Sequence, residues 1–551
     1  MKSLTSRSAW VALLRHPHTG ALAAGALAAC GFPPLGWWPA TILAIAWLIE
    51  LLSRAPRAAR AFQLGWLFGL SHFTVGNNWI ATAFTYQAEM PAWLGSIAVV
   101  LLSLYLALFP ALAAWLGWLV AKGGRGSAGK PDLHPATLGL ALAGAWIVTE
   151  WLRSWVFTGF AWNPLGIALL GSFRSQGLAV LAPWIGSYGL SGLLVLIAAA
   201  VQQMLRRAIA GHGRSRLGWS LGLVALAAVL TLHMVLPAPY LERREGELRY
   251  TLIQPDLRQE YLDDPTNFEP HFIKMARLTI PRRPGDKRIV FWPESGLADY
   301  LRDGYPDYLY RQQTYMADPR AARLRIGQVI GPYSLLLTGA VDLELRDGEI
   351  VGARNAVTAI DWRGNILAGY AKAHLVPYGE YLALRWLLEP LGATRLVAGA
   401  LDFLPGPGPR TIDFGEYGKA AVQICYEIVF SGEVVDRANR PDYIFNPSND
   451  GWFGSWGPPQ HLAQARLRAV EEGLPVLRST TTGISAVIDA DGLVRASIPR
   501  HVPGRLDGRI PPAHQPTLFA RYGNVLPLAL AALLLAASVV ARSRRKVYPR
   551  S

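Results

Sequence analysis

The stretch "AVQICYEIVF", residues 421–430, sets a cysteine among apolar neighbours, with Tyr426 and Glu427 directly behind it. The chain has only two cysteines, Cys30 and Cys425. A disulfide or a thiolate-type metal site around Cys425 therefore fails for want of a second thiol nearby. Two readings remain: a small buried hydrophobe, or a nucleophile. A nucleophilic cysteine needs a base to take its proton and a cation or donor to hold a developing oxyanion. "FWPESG" offers Glu294, "GYAKAHLVPYGEY" offers Lys372 and Glu380, and "ICYE" supplies Cys425 itself. His374 and His461 are tempting as bases. His374, beside "LVP", reads as a hydrogen-bonded structural residue, and His461, at a helix start, as a packing or capping one.

These groups need elements to hold them. "LRYTLIQ", "RIVFWPES", "SLLLTGAVDL", "AVTAIDW", "ILAGYAK", "AAVQICYE" and "DYIFNPS" read as strands by their β-branched and aromatic content. "DWRGN" and "DADG" read as hairpin turns. "PQHLAQARLRAVEEG" reads as a helix stopped by glycine. The pattern predicts an α/β or α+β sandwich over residues 239–520. Glu294, Lys372 and Cys425 each fall at the edge of an apolar strand, where α/β sites collect. If the strand continues through Cys425, Tyr426 points away from it.

The rest of the chain is of another kind. Of 551 residues, 52% are hydrophobic and 17% charged, against roughly 25% charged in a soluble domain. Apolar segments fall near 19–32, 36–53, 61–83, 91–121, 134–155, 183–204, 217–236 and 523–541. They predict about eight membrane spans, the first retained rather than cleaved as a signal. The net charge of +15 suggests nucleic acid, but no recognition motif accompanies it. Its cations sit in short loops: Arg54, Arg57 and Arg60; Lys122, Arg125 and Lys130; Arg206, Arg207, Arg214 and Arg216; Arg542, Arg544, Arg545 and Lys546. Lys2, Arg7 and Arg15 precede the first segment. The positive-inside rule then puts both termini in the cytoplasm and residues 239–520 on the outer face. Residues 1–238 form a membrane domain, and 521–551 a last span with a basic tail. Glu150 and Arg153 read either as an ion pair near a helix end or as a polar site facing a lipid headgroup. Trp452, Phe453 and Trp456 read as an exposed aromatic group, either packed as a loop or dipping into the outer leaflet as a lid.

"FWPESG", "YAKAHLVPYGEY", "QICYE", "NPSNDGWFG", "QHLAQARLRAVE" and "TGISAVID" resemble, in order and spacing, the apolipoprotein N-acyltransferases of the bacterial inner membrane. "WIATAF", "TEWLRSWVFTGFAWNPLG", "GSYGLSGLL" and "ARYGN" extend the likeness over nearly the whole chain. The outer domain resembles the nitrilase superfamily, whose fold is an αββα sandwich and whose Glu-Lys-Cys triad falls on Glu294, Lys372 and Cys425. Two positions depart from the family pattern. Asp263 lies where an aromatic is usual, with Tyr261 the nearest one, and Thr481 takes the place of an asparagine.

The resemblance implies an acyl donor that is a membrane phospholipid, typically phosphatidylethanolamine. The implied acceptor is the N-terminal amine of an S-diacylglyceryl-cysteine apolipoprotein. No metal and no organic cofactor are implied. Glu380 would orient Lys372 or Glu294, and Tyr426 and Glu427 would shape the oxyanion pocket. Two other classes share some features. A membrane-anchored amidase shares the triad but needs no eight-span platform. A transporter or sensor needs no triad and should show internal repeats, of which the sequence has no clear case.

Overall fold

The structure, a computed structural model, describes residues 16–86, 91–122, 133–237, 244–283, 285–388, 390 and 402–547. Lys2, Arg7, Arg15, Arg125 and Lys130 lie outside the described residues. The chain divides into two compact units. One comprises residues 1–81, 93–238 and 522–551; the other comprises 82–92 and 239–521.

The first unit is helical. Among the described residues, five segments are long and apolar enough to cross a membrane: Trp93–Ala121, Pro135–Arg153, Leu178–Ala210, Gly213–Val235 and Val525–Arg544. The helices Pro17–Ala29, Trp38–Ser53 and Ala58–Gly76 are shorter or more polar, with 13, 16 and 19 residues. Pro17 and Pro135 open their helices in the first turn, where a missing N–H costs no hydrogen bond. Gly213–Val235 exposes Leu217, Leu221, Val224, Val229 and Leu232, the surface a lipid-facing helix presents. Glu150 and Arg153 are both buried, 3.9 Å apart. Arg153 Nη1 donates to the carbonyls of Phe160 (2.9 Å) and Trp162 (2.8 Å), and Glu150 Oε1 accepts from Leu165 N at 2.8 Å. The pair satisfies the backbone of the irregular stretch after its own helix, as non-helical chain at membrane depth requires.

The second unit is built on two six-stranded sheets. The first uses β1 (Arg249–Gln254), β2 (Arg288–Phe291), β3 (Ser334–Arg346), β4 (Glu349–Asp361) and β5 (Ile366–Ala371). The second uses β6 (Thr411–Asp413), β7 (Lys419–Val422), β8 (Tyr443–Ser448), β9 (Val476–Thr480), β10 (Ser485–Ile488) and β11 (Val494–Ile498). The last strand, β12 (Gly504–Arg509), returns to the first sheet. The orders are β12-β1-β2-β3-β4-β5 and β11-β10-β9-β8-β7-β6. In each, three central strands run parallel: β1, β2 and β3 in one, β7, β8 and β9 in the other.

The strand period of two decides which side chains meet. Phe291 points inward to Phe445, with ring centroids 4.8 Å apart, and Ser479 Oγ donates to Ile253 O at 2.8 Å across the sheets. Its neighbours Val290 and Trp292 point outward, onto Phe272 and Met275 of the helix Phe268–Thr279 and Ile326 and Ile330 of the helix Pro319–Ile330. Each fully buried side chain of this kind contributes about 1.5–3 kcal/mol. The helix Gly457–Glu472 packs beside β9 and is buried on nearly every face, Arg466, Arg468, Glu471 and Glu472 included. Gly473 ends it in the left-handed conformation, φ 63°. The layers are the helix–sheet–sheet–helix order expected.

The expected turns fall at Asp361–Asn365 and Asp489–Gly492, each held by its aspartate accepting backbone N–H groups. A third turn, at Asp347–Gly348 between β3 and β4, carries a DG signal that the sequence reading passed over. One strand reading is corrected. β7 stops at Val422, and Cys425–Val429 forms a 3-10 turn. An apolar run does not by itself separate strand from buried turn.

Candidate active site

Cys425 opens that turn in the left-handed region, φ 49°, with 5% of its surface exposed. A non-glycine residue held there is strained, and surrounding contacts must fix it. The chain reverses at the cysteine instead of running on as a strand. Tyr426 is therefore not placed by strand alternation; its ring packs edge-on to Phe430, with centroids 5.2 Å apart.

The other groups converge from the first sheet. Lys372 lies just past β5, anchored by its N–H donating to Asn355 O at 2.8 Å. Its Nζ lies 2.9 Å from Glu380 Oε2 and 3.6 Å from Glu294 Oε1. Asn355, in β4, donates its amide to Glu294 Oε1 (2.7 Å) and to Glu380 Oε1 (2.9 Å), tying the carboxylates together. Glu294 Oε2 accepts from the backbone N of Asn449 at 2.7 Å, and Glu380 Oε2 from Val376 N at 2.8 Å. Glu380 is buried, not a surface carboxylate. Glu294 sits where β3 comes unusually near: a Cβ on Gly339 would lie 2.0 Å from Glu294 O. Asn355 was not singled out from the sequence; the available signal was an amide inside an apolar strand.

Glu294 and Lys372 both act electrostatically on Cys425. Burial pushes the thiol well above its usual range, Glu294 pushes it further, and Lys372 opposes them. Burial alone would lower Lys372, but Glu380 and Glu294 overcome it and raise the lysine above its usual range. The site thus holds a neutral thiol beside a permanent ammonium.

Glu427 ties the cysteine turn to the lysine segment. It accepts from Ile424 N (2.8 Å), Ala373 N (2.7 Å), His374 N (3.1 Å) and Tyr370 Oη (2.9 Å). Burial pushes it up to about 7, against the pull of those N–H donors. His374 packs against Phe430, the rings tilted by 32° with centroids 3.7 Å apart. His461 is fully buried and reaches the backbone of Cys425: its Nε2 lies 3.0 Å from Cys425 O. Thr481 Oγ1 donates to Asn449 Oδ1 at 2.8 Å, so this departure from the family pattern still reaches the segment that holds Glu294. Tyr261 and Asp263 are both exposed.

Trp452, Phe453 and Trp456 do not form an exposed group. Phe453 is buried with its ring 5.6 Å from His461, and Trp452 and Trp456 are half-buried, Trp452 meeting Tyr86 edge-on at 5.6 Å. Among the described residues, no cluster of His, Cys, Asp and Glu is arranged to hold a metal ion.

A helix–sheet–sheet–helix unit with a thiol, a lysine and two carboxylates at its strand ends is of the carbon-nitrogen hydrolase class. Residues 258–512 match the model of that family, Carbon-nitrogen hydrolase. Residues 24–200 match a second model, the Apolipoprotein N-acyltransferase N-terminal domain. The apolipoprotein N-acyltransferase of Rhodopseudomonas palustris is 35% identical over 95% of this chain and 95% of its own length. That of Bradyrhizobium diazoefficiens is 34% identical over 96% and 95%. The chain belongs to the apolipoprotein N-acyltransferase family. Among solved structures, a mutant of the Nesterenkonia AN1 amidase, from the nitrilase superfamily, aligns at 19% identity and TM-score 0.34, covering 49% of this chain and 92% of that one.

Proposed function

We propose that this chain moves an acyl group from a membrane phospholipid, phosphatidylethanolamine foremost, to the N-terminal amine of S-diacylglyceryl-cysteine apolipoproteins, through a thioester on Cys425. The observation that carries the reading is the arrangement of Glu294 and Lys372, linked by Asn355, with both charges acting on the Cys425 thiol. The family of the chain supports the substrates.

In the first half-reaction Glu294 takes the thiol proton as Sγ attacks the ester carbonyl. Lys372 and backbone N–H groups at the turn hold the oxyanion. The carbon–oxygen bond then breaks, and the lysophospholipid alkoxide takes the proton from Glu294. In the second half the acceptor amine attacks the thioester carbonyl and Glu294 receives its proton; the carbon–sulfur bond then breaks, leaving the amide, and the Cys425 thiolate takes the proton from Glu294. Glu380 keeps Lys372 charged and in place, and Glu427 and Tyr426 shape the turn. This is a two-step covalent scheme with ping-pong kinetics.

The same reading assigns about eight spans in a bacterial inner membrane, residues 1–238 and 521–551 to the membrane, and residues 239–520 to the periplasmic side, with both termini cytoplasmic. The apolar helices and the cations Lys122, Arg206, Arg207, Arg214, Arg216 and Arg542 near their ends support it. The deciding experiment is intact mass after incubation with phosphatidylethanolamine alone. A hydroxylamine-labile acyl mass on Cys425, absent from Cys425→Ala, is expected; an unchanged mass from folded protein overturns the phospholipid donor.

A further inference from the structure

A buried polar network lies under the nucleophile, outside the Glu-Lys-Cys group. Its hub is Arg478, at the centre of β9 and fully enclosed. Arg478 Nη2 donates to both carboxylate oxygens of Asp450, at 2.8 and 2.7 Å. Nη1 donates to Ser448 Oγ at 2.9 Å and to Asn446 Oδ1. Arg478 Nη2 and Asp450 Oδ1 each lie 3.0 Å from Nδ1 of His461. The other ring nitrogen, Nε2, lies 3.0 Å from the carbonyl oxygen of Cys425. A carbonyl oxygen only accepts, so Nε2 carries the hydrogen whatever the charge of the ring. Burial and Arg478 push His461 below the usual imidazole range, and Asp450 is held down to about 2, chiefly by Arg478 and His461 against its burial. The ion pair is therefore permanent, and the ring is not a proton reservoir.

The contact matters because of what it fixes. A peptide group is planar, so pinning Cys425 O sets the plane shared with the Tyr426 N–H, on the opposite side. It also holds the strained φ of 49°, and with it the direction of the Cys425 side chain. We propose that His461 is a positioning residue for the cysteine: held at Nδ1 by Arg478, which Asp450 locks in place, it donates Nε2–H to the Cys425 carbonyl and so aims both the thiol and the peptide that follows it. The inference rests on Cys425 being the nucleophile. His461 acts through the Cys425 backbone, so its loss is expected in the rate of the cysteine's chemistry rather than in donor binding.

The test uses the full-length protein in detergent or nanodiscs. The variants are His461→Met, which fills the space without a donor; His461→Gln, whose amide reaches the Nε2 position; and His461→Asn, whose amide does not. The first readout is the second-order rate of iodoacetamide alkylation at Cys425 by intact mass, with Cys425→Ala as background and melting temperature followed in parallel. Met and Asn are expected to alkylate at least about tenfold more slowly than native, and Gln to return to within about threefold. Acylation by phosphatidylethanolamine should show the same order in kcat, with KM for the donor changed less than about twofold. Native alkylation in His461→Met overturns the proposal. So does equal slowing in Gln and Asn, a comparison that stands even if the Met variant does not fold. Alkylation needs no phospholipid, so failure of the donor assignment leaves this test intact.

Discussion

Lys372 is held more closely by Glu380, at 2.9 Å, than by Glu294, at 3.6 Å. The two carboxylates therefore divide the work. Glu380 compensates the buried ammonium and is itself anchored by Val376 N and Asn355. Glu294 keeps a looser hold on the lysine, as the proton-exchanging role proposed for it requires.

Glu380→Ala removes the closer counter-charge of a fully enclosed lysine. Breaking one side of a buried pair costs about 3–5 kcal/mol. We expect a lower melting temperature and an acylation rate reduced by more than about a hundredfold, with Glu380→Gln falling between Ala and native. Stopped-time intact mass reads both; near-native acylation in Glu380→Ala would remove the assignment.

The Cys425 thiol is raised by burial, Glu294 and Asp450, and lowered by Lys372 and Arg478. It is thus neutral at pH 7, and the thiolate fraction grows as pH rises toward its raised pKa. Iodoacetamide alkylation should climb steadily from pH 7 to 9 with no plateau at neutral pH. Glu294→Gln removes a charge that raises the thiol, so it should alkylate at least as fast as native while losing acylation. A plateau near pH 7 would mean a preformed thiolate and no need for Glu294 as base.

Gly339→Ala should act on Glu294 without touching any charged group. Its Cβ would fall 2.0 Å from Glu294 O and 2.4 Å from Glu294 C, and both atoms are backbone, so the segment carrying Glu294, just past β2, must move. We expect about 1–3 kcal/mol of destabilisation and at least a tenfold loss of acylation, measured by thermal unfolding and the thioester burst. Native acylation would show that Glu294 tolerates displacement.

Glu472, at the end of the helix Gly457–Glu472, is pushed up to about 7 by burial and by Glu471 beside it. A carboxyl whose folded pKa is raised contributes stability below its unfolded value near 4.5, and that stability is lost as pH rises through about 7. Glu472→Gln should therefore be more stable than native at pH 8, by roughly 3 kcal/mol, with the difference shrinking to under about 1 kcal/mol at pH 5 and vanishing below about pH 4. Melting temperatures at the two pH values check the sign; a constant difference would place the effect elsewhere.

Much of this was legible before any coordinates. Cys425, with Glu294 and Lys372 each closing an apolar strand, was legible as the candidate site because polar residues at strand ends stand out against β-branched runs. The path of the chain at Cys425 was not legible: "AVQICYE" is apolar enough for a strand, and nothing local announces the reversal. The helix over "PQHLAQARLRAVEEG" was legible, but not that Arg466, Arg468, Glu471 and Glu472 on it are buried, because tertiary packing decides burial and a local pattern does not show it. His461 read as a packing or capping residue and Arg478 was not singled out; their relation comes through Asp450, 11 and 28 residues away respectively, brought near by sheet topology.

Arg478 holds Asn446, Ser448, Asp450 and His461 at once. Replacing any one of these leaves the others with an unanswered donor, acceptor or charge deep in the sandwich. Such a set does not drift one letter at a time: in related chains these five positions should be inherited as a block or exchanged together, while Tyr261 and Asp263, exposed on their loop, are free to wander.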